Sequence, residues 1–263
     1  MSLPTTFLGK PVTIRKCKIK RSLEDSEYPY FSDQGLKGEV KSIHRARRLG
    51  LPTPTLLHVD ESDGALWQWS DEGPTLEQAL CEGVGLKTEA DISKTMSQLA
   101  ELYARAHDGG FVLGVTSASD LQLKSSNGSP VLLSLKCAFN SIIPEDRGRD
   151  VFLLRRLLDD AEALACARRM EKKAGADSKG EEEGNKSGEK ETKGDEAEVE
   201  NEKEKEGEKE GEGNTLPPVT GLFEKFLEVY RKKSRQWSAT FNKYAEVNQR
   251  LTRKEAKAKV TSA

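Results

Sequence analysis

Cysteine is scarce in this chain: Cys17, Cys81, Cys137 and Cys166 stand far apart, with no CxxC pair among them. Histidine is scarcer still, and no histidine is placed to complete a metal set with those thiols. Neither a zinc site nor the disulfide framework of a secreted protein is indicated, and the thiols read as buried or idle groups in a reducing compartment. No segment has the ~18 consecutive apolar residues of a membrane span, and the N-terminus lacks the apolar core of a signal peptide. The expected location is the cytoplasm or nucleus, away from any membrane. Apolar residues as a class are also few, 35% against 33% charged, which implies that part of the chain never enters a core.

That part is visible. From Glu171 to Gly213 almost every residue is Glu, Lys, Gly, Asp, Ser or Asn, with Ala174, Ala176, Ala197 and Val199 as the apolar exceptions. Such a stretch cannot bury enough surface to offset its chain entropy and reads as a disordered, solvated insert. It divides the chain into 1–69, 70–170, the insert 171–213, and 214–263. Net charge is only −2, but the insert is acidic and the last stretch is basic. Arg250, Arg253, Lys254 and Lys257 make the tail a candidate for contact with nucleic acid or an acidic partner, or simply a solubilising terminus.

What remains is patterned. Gly9-Lys10-Pro11 is a turn signal, and Val12-Thr13-Ile14 opens a strand. Leu36, Val40, Ile43 and Ala46 recur at helical spacing over 34–49, giving an amphipathic helix with a basic outer face of Lys41, Arg45, Arg47 and Arg48. Two strands at 55–59 and 65–69 flank the hairpin-like turn 60–64. A short helix begins near Pro74, and a longer one over 90–106 carries Ile92, Met96, Leu99, Leu102 and Tyr103 and stops at Gly109-Gly110. Strands at 121–123 and 131–135 follow, then helices from about Asp150 through Leu157, over 222–230, and one carrying Trp237, Phe241, Tyr244 and Val247. The order is strand-rich with one helix, then helical around a hairpin: an α+β, two-lobed arrangement.

A strand reading Val12-Thr13-Ile14-Arg15, followed by a helix with Glu39 in its first turns, matches the pattern in which the strand lysine of V-A-I-K pairs with a helix glutamate to position phosphates. Here Arg15 stands where the lysine would be, and a planar guanidinium does not simply replace an ammonium. Read alone, Arg15 and Glu39 would form a surface ion pair of little energetic weight. Three longer stretches make the match specific: G-E-V-K-S-I-H-R-A-R-R-L-G-L-P-T-P-T-L-L-H-V-D over 38–60, A-R-A-H-D over 104–108, and P-E-D-R-G-R-D over 144–150. They resemble the PRPK family, the atypical kinase subunit of the KEOPS tRNA-modification complex, whose own stretch reads P-E-D-K-G-x-D. The resemblance covers most of 7–170 and resumes at 222–230.

The resemblance implies a protein-kinase-like fold with several departures. No Gly-rich loop precedes Val12, where only about a dozen residues stand, so the N-lobe is expected to lack it. The family's catalytic loop H-G-D-L-T-T-S-N falls on 113–120, so its base becomes Val115, which cannot accept a proton. Its metal-binding Asn becomes Asp120, which could still hold a cation. The D-F-G acid becomes Ser134, and Lys136 adds a charge of the opposite sign. No catalytic set is therefore intact. Arg15, Glu39 and Asp120 remain as cofactor-binding candidates, with Asp120 the metal candidate, and ATP and magnesium are expected to bind weakly or not at all.

By the same resemblance the chain is expected to serve as a pseudokinase in a KEOPS-type assembly supporting threonylcarbamoyl-adenosine formation on tRNA. A small partner would sit on its N-lobe, and the carbamoyl-transferring subunit on its C-lobe and tail, with tRNA reached indirectly. The alternatives are an active atypical serine/threonine kinase or ATPase, and a degenerate duplicate outside any such complex. His107 is expected to support the loop that follows it rather than act as a base. Trp67 and Trp69 are core residues or the lining of an adenine pocket. Asp146 and Asp150 are candidates for metal ligation or for capping the next helix, with capping the first reading for Asp150.

Overall fold

The computed structural model describes residues 3–7, 9–17, 34–69, 73–177 and 219–261. The N-terminal part is a four-stranded antiparallel sheet, order β1-β2-β4-β3, built from β1 (Leu3–Phe7), β2 (Lys10–Lys16), β3 (Leu56–Asp60) and β4 (Ala65–Trp69). Helix α1 (Gly35–Arg48) lies between β2 and β3 in the chain and buries Glu39, Ser42, Ile43 and Ala46, the i, i+3, i+4, i+7 set of one helical face. The C-terminal part is helical. It comprises α2 (Leu76–Glu82), α3 (Glu89–Asp108), α4 (Pro144–Asp177), α5 (Leu222–Lys233) and α6 (Trp237–Thr261). Two small hairpin-like pairs lie among them, β5 (Phe111–Val112) with β8 (Phe139–Asn140), and β6 (Leu121–Leu123) with β7 (Pro130–Leu132). This is the kinase-like α+β architecture, a sheet lobe with one helix set on a helical lobe.

Local chemistry explains most boundaries. Thr75 with Gln78 and Thr88 with Asp91 form reciprocal capping boxes at the starts of α2 and α3, and Gly83 closes α2 in the left-handed region. One hydrophobic cluster runs through both parts. It joins Ile43, Ala46 and Leu66 to Leu99, Tyr103, Leu113 and Leu154, and onward to Phe223, Phe226, Tyr230 and Tyr244.

The structure departs from the sequence expectations at several points. Strand β1, which pairs with β2 from Leu3↔Ile14 to Phe7↔Lys10, carries too little alternation to be read in advance. Strand β7 stops at Leu132, three residues short of the expected strand, and Leu133 N–H turns to the Asp120 carbonyl. Helix α4 begins at Pro144 rather than near Asp150: proline suits the first helical position, and Glu145 and Asp146 suit the positive N-terminal end. It also runs to Asp177, so the first residues of the charged insert are helical, because extending a formed helix through Glu, Lys and Ala needs no new nucleus. The remainder of the insert lies outside the described residues. Helix α6 likewise continues through the basic run, so the tail is helical to Thr261. No helix among the described residues is long and apolar enough to cross a membrane.

Candidate functional site at the seam between the lobes

The alternation of β2 sends Thr13, Arg15 and Cys17 to one face, and the register sets Arg15 beside Leu66 of β4. Helix α1 packs on that face and presents Glu39, 1% exposed, to Arg15. The guanidinium grips the carboxylate with two bonds, Nη2 to Oε1 at 2.6 Å and Nη1 to Oε2 at 3.0 Å. Glu39 also accepts the Leu135 N–H at 2.9 Å, the Ser134 hydroxyl at 3.2 Å and the Cys17 thiol at 3.3 Å. Burial pushes the Glu39 carboxyl upward, but the bonds and charge of Arg15, with Leu135 and Cys17, outweigh it and hold it below its ordinary value. Arg15 is harder to deprotonate than usual despite its own burial, for the same reason.

The segment 134–138 supplies the other half of the seam. Ser134 Oγ lies 3.5 Å from Arg15 Nη1. Lys136 Nζ stands 3.8 Å from Asp120 Oδ2, whose carboxylate also takes the Thr116 hydroxyl at 3.5 Å. Burial raises the Asp120 carboxyl above its ordinary value; Lys136 and Arg15 pull it back, and Glu39 pushes the same way as burial. Two cations and two carboxylates thus share the seam. Helix α1 is fastened to the helical lobe along its length by further bonds: Gln34 N–H to Lys136 O, Ser42 Oγ to Ala138 O at 3.0 Å, and Arg45 Nη2 to Gly109 O at 3.0 Å.

The structure therefore brings together Arg15, Glu39, Asp120 and Ser134. Val115 it places elsewhere. Its side chain is 1% exposed and belongs to the apolar core. Trp67 and Trp69 do not line it either. They pair with Ile14 and Val12 on the opposite face of the sheet, where Trp67 meets Phe7 and His58 edge to face at 5.7 and 5.8 Å. Asp146 accepts the Ser141 hydroxyl at 2.6 Å and faces Arg149.

Asp150 is not a helix cap. It is fully buried two turns into α4, and it accepts the N–H groups of Leu113 at 2.8 Å and Gly114 at 2.9 Å, with His107 Nε2 at 3.0 Å. His107 Nδ1 meets the Tyr230 hydroxyl at 2.7 Å, so the histidine supports the following loop through Asp150. Gly114 sits at φ +59° with its α-carbon against the Cys137 carbonyl; a β-carbon there would come within 2.6 Å of that oxygen. Burial pushes the Tyr230 phenol up to about 12. Cys17 could have been added to the seam from its spacing, two residues beyond Arg15 on one strand face. Nothing in the sequence marks Tyr230 as the partner of His107.

Of the four tail residues, Arg250 lies 3.5 Å from Glu145 and Arg253 is exposed. Positions 250, 253, 254 and 257 fall on one side of α6 by spacing; the side chains of Lys254 and Lys257 lie outside the described residues.

No family model matches the chain. Curated proteins do. It is 28% identical to EKC/KEOPS complex subunit BUD32 of Gibberella zeae over 45% of this chain and 50% of that protein. It is 23% identical to an EKC/KEOPS complex subunit of Schizosaccharomyces pombe, over 60% of this chain and 67% of the relative. For EKC/KEOPS complex subunit bud32 of Dictyostelium discoideum the figures are 21%, 54% and 58%. The chain thus spans about half to two thirds of the length of these relatives. With its kinase-like two-lobed fold and a strand-to-helix Arg15–Glu39 pair at its seam, the chain is similar to three EKC/KEOPS complex subunits, two of which carry the Bud32 name.

Proposed function

We propose that this chain is a kinase-like subunit of a KEOPS-type assembly that acts by binding partners rather than by phosphoryl transfer. The observation that carries the reading is the self-neutralised seam. A divalent cation needs carboxylate oxygens turned toward it, whereas Glu39 is spent on Arg15 and Asp120 stands beside Lys136. Ser134 donates its hydroxyl to Glu39. This donor set does not fit magnesium. Val115, set in the core, offers no base. The role in threonylcarbamoyl-adenosine formation on tRNA, the small partner on the N-lobe, the carbamoyl-transferring partner on the C-lobe and α6, and a cytosolic or nuclear location all belong to the same proposal.

The intact Arg15–Glu39 pair favours one second reading, an atypical serine/threonine kinase or ATPase that retains ATP in the seam. Phosphate release and labelled-phosphate transfer by the purified chain separate the two, together with thermal shifts under ATP with and without magnesium. The expected result is no turnover and no magnesium-dependent shift. Magnesium-dependent turnover that disappears in Glu39→Ala would overturn the first reading. Co-purification with KEOPS-type subunits tests the partner role, and its failure would remove the assembly from the proposal.

A further inference from the structure

Among the described residues Arg147, near the start of α4, is the largest fully buried side chain, 1% exposed. The carboxylates around it on α4 are all taken by other groups. Glu145 Oε1 receives Arg149 Nη2 at 2.7 Å and Arg250 Nη1 at 3.5 Å. Asp146 receives the Ser141 hydroxyl at 2.6 Å and faces Arg149 at 3.5 Å. Asp150 receives the Leu113 and Gly114 N–H groups and meets His107 Nε2. None of them reaches the Arg147 guanidinium, which makes no hydrogen bond or ion pair with the described residues, and its Nε is enclosed without an acceptor.

A second orphaned group lies at the same joint, on α6. Thr240 is 0% exposed and its Oγ1 makes no well-formed hydrogen bond, although a threonine inside a helix ordinarily bonds the carbonyl one turn back. The two residues converge on Tyr230. Burial raises that phenol; Ser234 and Thr240 beside its hydroxyl pull it back, and so does the charge of Arg147. Gly148, next to Arg147, packs directly on the backbone of Lys243 and Tyr244, so α4 and α6 are in closest contact here. A guanidinium brings five N–H donors and no acceptor, and a hydroxyl can add one more donor. A buried cation without acceptors is strongly unfavourable, and such a group in a native fold calls for a bound water or ion. Water would supply an acceptor but no charge; an anion supplies both, through charge-assisted bonds. Arg147, Thr240 and Tyr230 are at most 1% exposed, and so tight an enclosure suits an ion of one atom rather than a phosphate or a carboxylate.

We infer that Arg147 and Thr240 hold a chloride ion in the joint between α4 and α6, beside the Tyr230 hydroxyl. The ion matches the one buried guanidinium that α4 leaves unpaired and fastens α6 to the rest of the helical lobe. This site does not rest on the KEOPS reading, which stands or falls on co-purification.

The test uses the full chain in 200 mM potassium salt, with gluconate replaced stepwise by chloride so that ionic strength stays constant. Urea unfolding followed by circular dichroism gives the unfolding equilibrium constant at each step, and the width of the chlorine-35 NMR line reports the bound ion directly. For the parent, the unfolding constant should fall as chloride rises, approaching about tenfold per tenfold of chloride once the site fills, and bromide should serve equally. Arg147→Met should abolish this dependence and the line broadening, and in gluconate it should be at least as stable as the parent, because it buries no unmatched cation. Thr240→Val keeps the side-chain shape and should need about tenfold more chloride for the same effect, the loss of one hydrogen bond to a charged partner. Should Arg147→Met fail to fold, the shift in Thr240→Val and the parent's line width decide. A parent whose stability and line width do not respond to chloride overturns the inference and assigns the joint to an enclosed water. Full chloride dependence retained in both variants, or in Thr240→Val alone if Arg147→Met does not fold, also overturns it, since the ion would then bind elsewhere.

Discussion

Removing the Glu39 side chain tests the seam most directly. In Glu39→Ala the Arg15 guanidinium loses two charge-assisted bonds, at 2.6 and 3.0 Å, and the Leu135 N–H loses its 2.9 Å acceptor. Breaking a buried pair by deleting one partner costs about 3–5 kcal/mol. Arg15 keeps 24% of its side-chain exposure and a hydroxyl at 3.5 Å, so it recovers some hydration. The expected loss is therefore about 2–4 kcal/mol, or roughly 4–16 °C in Tm at 2–4 °C per kcal/mol for a chain of this size.

The double variant Arg15→Met, Glu39→Ala should regain about 1 kcal/mol or more of that loss, since no unpaired charge remains. The pH dependence has a definite sign. Glu39 is held below its ordinary 4.5, so its contribution is present at neutral pH and is lost as pH falls through the depressed value. The gap between parent and variant should accordingly close in acid and stay constant from pH 6 to 8. Urea and thermal denaturation followed by circular dichroism measure both effects. A loss under about 0.5 kcal/mol, or a double variant no better than the single, would show that the seam is an ordinary surface pair.

Asp120→Asn should raise stability slightly at neutral pH, by under about 1 kcal/mol with Lys136 half in water. The Asp120 carboxyl is raised by burial, so it favours the fold below its ordinary 3.8 and opposes it above its raised value; a fall in Tm at pH 7 would contradict this. Val115→Asp would place a charge in a side-chain site 1% exposed; it should cost about 3 kcal/mol or more by urea midpoint and confer no phosphate transfer. A stable variant with new magnesium-dependent turnover would refute the core placement. Tyr230→Phe removes the hydroxyl 2.7 Å from His107 and should cost about 1–3 kcal/mol in the same assay; no change would mean the buried bond carries nothing. Gly148→Ala sets a β-carbon 2.6 Å from the Tyr244 nitrogen, so α4 and α6 must part, at about 1–3 kcal/mol; an unaffected melting temperature would refute that close approach.

Much of the fold is legible in the sequence because its periodicities are strong. Leu36, Val40, Ile43 and Ala46 place helix α1 to within a residue, and β4 and β6 carry enough apolar alternation to be placed without error. The start of α4 is missed when apolar spacing, which begins at Val151, is weighed above the Pro144-Glu145-Asp146 start signal. Arg15 with Glu39 is legible through a known strand–helix pattern, and the geometry bears the pair out. Asp150 is not legible. A carboxylate after a glycine turn looks like a cap, and only tertiary packing shows that it collects two backbone N–H groups 36 and 37 residues upstream. The orientation of Val115 is hidden for a related reason: position in a motif does not say which way a side chain turns.

The helical lobe is assembled from two stretches of chain that are far apart in sequence, and this bears on how it is made. Tyr103 on α3 stacks edge to face on Phe226 of α5, and α4 lies against α6, yet residues 178–218 separate Asp177 from Val219. A ribosome adding about 5–20 residues per second needs several seconds to cross that interval. Throughout it, the faces of α3 and α4 that Phe223, Phe226, Tyr230 and Tyr244 later cover have no partner from their own chain. A nascent protein halted within the interval would be left with an open apolar groove rather than a smaller folded domain. Cells that make this chain therefore have reason to shield it during synthesis, and shortening the interval should lower its demand for chaperones more than it alters the stability of the finished fold.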